Sequence, residues 1–150
     1  MRVVVQRVRE ASVTIDGALH SSIGPGLFIL VGVESGDTDA DVTWLASKCA
    51  GLRIFDDADG VMNRNVSDSG GEILAVSQFT LTASTRRGNR PSYVRAAGHE
   101  LAVPLYGKFC DLLSTLASRP VMRGVFGADM QCALVNDGPV TIIIDSRLKE

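Results

Sequence analysis

Two segments of the 150-residue chain set groups able to do chemistry into an apolar strand pattern: Ser77-Gln78-Phe79-Thr80-Leu81 and Asn136-Asp137-Gly138-Pro139-Val140-Thr141. The first offers two hydroxyls and an amide, which makes Ser77, Gln78, Phe79 and Thr80 the candidate catalytic residues. A hydroxyl nucleophile needs a base within hydrogen-bond reach, and that base needs an orienting partner. The only histidines, His20 and His99, stand in no such motif. A hydrolytic triad therefore has little support. Backbone amides that stabilise an oxyanion need only a strand end or a tight turn, so the pattern points to a site built largely from main chain. The second segment reads as a turn between two strands. Its Gly138–Pro139 bond is expected to be trans, because only about 5–6% of X–Pro bonds in folded proteins are cis.

The elements that position these segments follow from periodicity. Arg2 to Val8 alternates, with Val3, Val5 and Arg7 on one face; Ser12 to Ile15 reads as a second strand closed by Asp16-Gly17, and Leu27 to Val33 as a buried central strand. A helix is predicted from about Asp37 to Leu52, with the stripe Val42, Leu45, Cys49, Leu52 facing the core. Asp56 to Gly60 reads as a solvated hairpin turn, lacking the ligand spacing of a calcium loop. A strand is predicted from Glu72 to Thr82; alternation then puts Gln78 and Thr80 on one face and Ser77 and Phe79 on the other. A basic loop follows, with Arg86, Arg87 and Arg90. The second helix is predicted over Glu100 to Leu116, beginning near Ala102 so that Pro104 falls in its first turn. Two last strands, near Asp129 to Val135 and Val140 to Asp145, are joined by Asn136 to Pro139. This order gives a single α+β domain over residues 1–150, with a largely antiparallel or mixed, barrel-like sheet and two main helices.

Composition excludes several classes. Hydrophobic residues make up 45% and charged residues 21%, as in ordinary globular proteins, and the net charge of −2 argues against a general polyanion or DNA binder. The chain opens on a strand-like run, with no secretory signal pattern and no span long enough for a membrane, so a cytoplasmic location is expected. Three scattered cysteines suit a reducing compartment. No metal site is predicted and no cofactor motif appears.

The two segments, together with Met1 to Val8, Gly51-Leu52-Arg53-Ile54-Phe55, Asn89-Arg90-Pro91-Ser92 and Phe126-Gly127-Ala128-Asp129-Met130, resemble the D-aminoacyl-tRNA deacylase family from end to end. The resemblance implies a homodimer whose active sites lie at the subunit interface, each combining the Ser77 to Leu81 strand of one subunit with the Gly138-Pro139 corner of the other. It implies that this bond is cis, overturning the trans expectation, and that the corner excludes L-aminoacyl groups. Arg7 matches the arginine that holds the corner; Phe79 and Met130 match positions lining the pocket. The implied partner is the aminoacylated 3′ end of tRNA. The implied reaction is hydrolysis of its D-aminoacyl ester and of some mischarged glycyl esters, with no cofactor or metal. Thr80 matches a residue considered as a nucleophile in the family; with no base in view it is assigned a positioning role. Two other functions stay open on the residues alone: a non-catalytic tRNA-binding module using Arg86, Arg87, Arg90 and Arg95, and a dimeric small-molecule esterase.

Overall fold

One strand organises the molecule. In the computed structural model, which describes residues 1–149, β1 runs unbroken from Arg2 to Ile15. The sequence suggested two strands here. Arg9 and Glu10 are exposed, but the ladder continues through them, with Val8 opposite Asn136 and Glu10 opposite Val135. The first half of β1 pairs with β3 (Gly26–Gly32), and its second half pairs with β2 (Ala18–Ile23) on the same edge. Its other edge pairs along nearly its whole length with β8 (Gln131–Asp145). β3 pairs in parallel with β6 (Glu72–Ser77), and β6 in parallel with β7 (Val121–Arg123). The sheet is therefore mixed, as expected, although sequence periodicity missed the short strands β2 and β7. It curls until Ser21 on β2 donates a hydrogen bond to the carbonyl of Arg123 on β7 (2.9 Å), nearly closing a barrel.

Strand alternation divides the interior in two. Leu27, Ile29 and Val31 of β3, with Ile73 and Ala75 of β6, face the helices; Phe28 of β3, with Leu74 and Val76 of β6, faces the barrel lumen with Val8, Ala11, Val13 and Ile23. The outer layer consists of α1 (Asp39–Gly51) and α3 (His99–Ala117), with a one-turn helix α2 (Val66–Ser69). Val42, Leu45 and Cys49 are buried, so the predicted stripe of α1 packs inward. Its start moves two residues from the expectation, because the backbone N–H of Thr38 is bound by the Asp41 carboxylate (2.8 Å), while Asp37 is buried beneath Arg147. The Asp57 to Gly60 turn joins β4 (Phe55–Asp56) to β5 (Met62–Arg64), as its composition predicted. α3 starts at His99, ahead of the predicted Ala102. Pro104 sits in the second turn on the solvent side, where the cost is one lost backbone bond, and Leu105, Phe109 and Leu113 bury the opposite face.

Two further corrections concern the site. β6 ends at Ser77, and Phe79 to Thr82 coil into a 3-10 turn in place of the predicted strand. In addition, no turn separates two C-terminal strands: β8 carries this segment as a bulge, the four residues Asp137 to Val140 passing opposite Arg7 between the Gln6–Thr141 and Val8–Asn136 pairs.

Candidate active site

The end of β6 is where the first segment becomes a site. The Gln78 N–H bonds the carbonyl of Val31 (2.7 Å), the last ladder contact, and the chain then turns back with Leu81 N–H on the Gln78 carbonyl (3.3 Å). Gly32 permits this close approach: a Cβ there would stand 2.9 Å from the Leu81 Cβ and 3.0 Å from the Gln78 carbonyl. Thr82, fully buried, locks the turn by donating its hydroxyl proton to the Phe79 carbonyl (2.8 Å). Arg2 holds it from outside, donating to the Leu81 carbonyl (2.8 Å) while gripping Asp145 (2.7 and 3.0 Å). The N–H groups of Phe79 and Thr80 open the turn, where a 3-10 helix supplies no acceptor of its own.

Beside the turn lies a cleft of about 580 Å³, lined by Ser77, Gln78, Phe79, His99, Phe126 and Met130 among others. It brings together three of the four predicted catalytic residues with Met130. Phe79 lies in it half-exposed (55%), presenting an apolar wall to the cleft. Thr80 points elsewhere, into a neighbouring groove with Arg2, Val4, Leu81 and Ile143. Gln78 and Thr80 do meet, as the side-chain amide donates to the hydroxyl at 2.5 Å, but through the turn and not through strand alternation. No base lies within reach of the Ser77 or Thr80 hydroxyls among the hydrogen bonds described. The Cys132 thiol borders the same cleft, and burial pushes its pKa up, away from the nucleophilic thiolate. Tyr106 lies beneath, its phenol pushed up by burial and donating to the Ala75 carbonyl (2.9 Å); it is a structural hydroxyl.

His99 is the lining residue that the sequence missed. It is the first residue of α3, edge-on to Phe126 at 5.3 Å between ring centroids. Placing the helix start near Ala102 left it in an unassigned loop; Gly98 as the residue before the helix was the available signal.

The second segment forms a separate corner. The Gly138–Pro139 peptide is cis, correcting the expectation from X–Pro frequencies. Arg7, only 9% exposed, donates to the carbonyls of Ile54 (2.6 Å) and Asp137 (3.2 Å), and lies near the carboxylates of Asp137 (3.4 Å) and Asp56 (3.6 Å). Gly138 has φ +121°, and a Cβ there would meet the Val140 Cγ2 at 2.9 Å and the Arg7 Nη2 at 3.0 Å. Gly138 and Pro139 are exposed. Arg7, Gly138 and Pro139 lie outside the cleft. Ser77 pairs with Val31 and Val31 with Val3, whereas the corner stands opposite Arg7. At about 3.3 Å per residue and about 4.8 Å per strand, the two segments of one chain are roughly 13 Å apart along the sheet and roughly 14 Å across it.

Among the described residues, no group of three or more His, Cys, Asp or Glu side chains is placed to hold a metal, and no helix is long and apolar enough to cross a membrane.

Comparison with known proteins adds the following. The family model described as D-Tyr-tRNA(Tyr) deacylase matches residues 4–145. A Porphyromonas gingivalis protein named D-aminoacyl-tRNA deacylase is 62% identical over 150 residues, covering 100% of both chains. Proteins of the same name from Parabacteroides distasonis and Dechloromonas aromatica are 59% and 57% identical, again over 100% of both. The solved structure titled "c-Myc DNA Unwinding Element Binding Protein" superposes with a TM-score of 0.91 at 39% identity, over 97% of this chain and 98% of its own. Another, titled "Structural Analysis of a probable eukaryotic D-amino acid tRNA deacylase", reaches 0.80 at 16% identity over 95% and 97%, a likeness of fold.

Proposed function

The chain belongs to the D-Tyr-tRNA(Tyr) deacylase family, and on that premise we propose that it hydrolyses the ester of D-aminoacyl-tRNA, releasing the D-amino acid and free tRNA. The observation that carries the reading is the 62% identity to a D-aminoacyl-tRNA deacylase over 100% of both chains. The cleft agrees with it chemically. An aminoacyl ester is already activated, so holding it and a water in line while stabilising the oxyanion supplies much of the rate. The N–H groups of Phe79 and Thr80 at the start of the turn are suited to that oxyanion, and Ser77 and Gln78 to orienting the ester. Thr80, on the other side of the turn with its hydroxyl bound by Gln78, positions the loop. Mischarged glycyl-tRNA, which lacks any side chain to exclude, is accepted by the same geometry.

The second half of the site comes from a partner. In one chain the Gly138-Pro139 corner is too far from the cleft to meet a ligand held there, whereas a second copy can bring its exposed corner to it. Among the described residues β8 pairs only with β1, leaving its outer edge free, and Ile143 (63%) and Leu148 (64%) leave an apolar surface exposed beside Thr80 and Leu81. A homodimer with two interfacial sites covers both. Residues 1–150 then act as one domain, in the cytoplasm where charged tRNA is used. In each site Met130 and Phe79 line the aminoacyl pocket, and the partner's corner fills the space an L side chain would need.

The test is release of amino acid from D-tyrosyl-tRNA, L-tyrosyl-tRNA and a free D-tyrosine ester. Rapid turnover of the first alone is expected; release from none favours a non-catalytic tRNA-binding module, and equal release from the free ester a general esterase. Mixing a Gly138→Ala chain with a cleft-blocked chain should restore roughly a quarter of wild-type activity by subunit exchange, since half the dimers then hold one intact site. No restoration would mean that each site is built within a single chain.

A further inference from the structure

The basic loop is not used by the cleft chemistry. Residues 83–98 contain Arg86, Arg87, Arg90 and Arg95 and no acid, in a chain whose net charge is −2. The base of the loop is closed by reciprocal backbone hydrogen bonds between Ser84 and Ser92 (2.9 Å each). Arg95 is a tether, donating to the Thr82 carbonyl (3.1 Å) with buried Glu34 nearby (3.8 Å), so it leaves the group of four that the sequence placed together. Tyr93 packs edge-on against Phe79 (5.1 Å between centroids), fastening the loop to a residue of the cleft. The tip is exposed from Thr85 to Pro91.

The arginines at the tip are distinguished by their grouping. Arg2, Arg7, Arg9, Arg95, Arg123 and Arg147 each have a carboxylate within 4.0 Å; among the described residues Arg53, Arg64 and Arg119 have none but lie apart in the sequence, whereas Arg86, Arg87 and Arg90 are three such residues within five positions. Three unneutralised guanidinium groups on a loop fastened to the cleft through Tyr93 and Phe79 form a site for an anion larger than the cleft holds. The substrate supplies one: an ester at the end of a polynucleotide is followed at once by phosphodiesters. The planar fork of arginine matches phosphate oxygens two at a time.

We propose that Arg86, Arg87 and Arg90 clamp the phosphodiester backbone of the single-stranded 3′ end of tRNA while the cleft holds its aminoacyl group. This rests on the deacylase reading above. The clamp contributes to binding and leaves the chemical step alone, so its loss raises KM with kcat unchanged. Single-strand phosphate contacts contribute about −0.7 each to the slope of log affinity against log salt, so three account for a slope of roughly −2.

The experiment compares wild type with the triple variant Arg86→Gln, Arg87→Gln, Arg90→Gln. D-aminoacyl-tRNA and the D-aminoacyl ester of adenosine, which has no phosphate, serve as substrates; uncharged tRNA, intact or trimmed of its single-stranded 3′ end, serves as a binding probe. The clamp predicts a KM for the tRNA substrate raised on the order of tenfold at low salt and a slope shallower by roughly 2. It predicts no change on the adenosine ester, partial rescue by lysines, and loss of the variant's binding defect on trimmed tRNA. Equal loss on both substrates would show that the loop only supports Phe79 through Tyr93, and an unchanged salt slope would also overturn the clamp. Failure of the wild type to release amino acid defeats the deacylase reading alone, because the uncharged tRNA arm still reports on the arginines.

Discussion

Arg2 and Arg7 leave the same strand on opposite faces and hold two regions of opposite character. Arg2, on the outward face, ties the Ser77 to Thr82 turn to Asp145, beside a half-open cleft with an exposed phenylalanine. Arg7, on the face that carries Val3 and Val5, is buried and ties the carbonyls of Ile54 and Asp137 together, so that the bulge carrying Gly138 stands rigidly at the surface. The cleft has room and unused donors, as a region that receives a ligand must. The corner has little room and few unused groups of its own, as befits a region presented to something else. Selection by shape needs one surface that yields to the ligand and one that does not.

The comparison breaks most readily at Arg7. Arg7→Leu leaves the Ile54 and Asp137 carbonyls without their buried donor, while the Asp137 carboxylate keeps Arg9 (3.1 Å), and should cost about 3 kcal/mol in denaturant unfolding, with loss of activity. A cost no greater than that of Arg2→Leu would mean that the corner is no more firmly held than the cleft. Gly138→Ala comes next. Its positive φ and the contacts with Val140 and Arg7 should cost about 1–3 kcal/mol. Release from D-aminoacyl-tRNA should fall at least roughly tenfold, since a displacement near 1 Å is enough to misalign a site. Retained activity with intact discrimination between D and L esters would remove the corner from the site.

Arg2→Leu should cost about 1–2 kcal/mol, because its partner Asp145 is buried but Arg2 is partly solvated. The same pair sets an acid limit. Burial opposes ionisation of Asp145, yet backbone N–H groups and the Arg2 guanidinium outweigh it and hold the carboxyl below its ordinary 3.8. The folded pKa lies below the unfolded one, so this stabilisation is full at neutral pH and is lost as pH falls below about 4. The stability gap between wild type and Asp145→Asn should therefore narrow from pH 6 to pH 3; a constant gap would mean that charge plays no part. Smallest of all is Thr80→Ala, which removes a hydroxyl outside the cleft and should keep activity within about tenfold, whereas a loss of several thousandfold would make Thr80 a nucleophile.

Periodicity made the central strands β3 and β6 legible, together with the α1 stripe and the Asp57 turn, because each is set by neighbours three or four residues away at most. It failed where the sheet overrode local preference. Ser77 to Thr82 reads as strand because Phe79, Thr80 and Thr82 suit one, but the ladder ends when the Gln78 N–H takes its last acceptor from Val31. Asn136 to Pro139 reads as a turn because each residue favours one. Only continuous pairing with β1, and Arg7 filling the space opposite, turn it into a bulge within a single strand. His99 escaped notice because Pro104 pulled the expected helix start inward.

By itself the sequence determined which residues are available for chemistry: hydroxyls and an amide next to a strand end, a Gly-Pro pair, arginines at positions 2 and 7, and no paired acid and base. Residue type and short-range spacing suffice for that. Tertiary structure decided that Ser77, Gln78 and Phe79 share a cleft while Thr80 does not, that Arg7 and not a hairpin holds the corner, and that the corner lies far from the cleft of its own chain. Those outcomes depend on the register between strands far apart in sequence, Arg7 and Asp137 being separated by 130 residues and Arg2 and Asp145 by 143, and local preference carries no record of register.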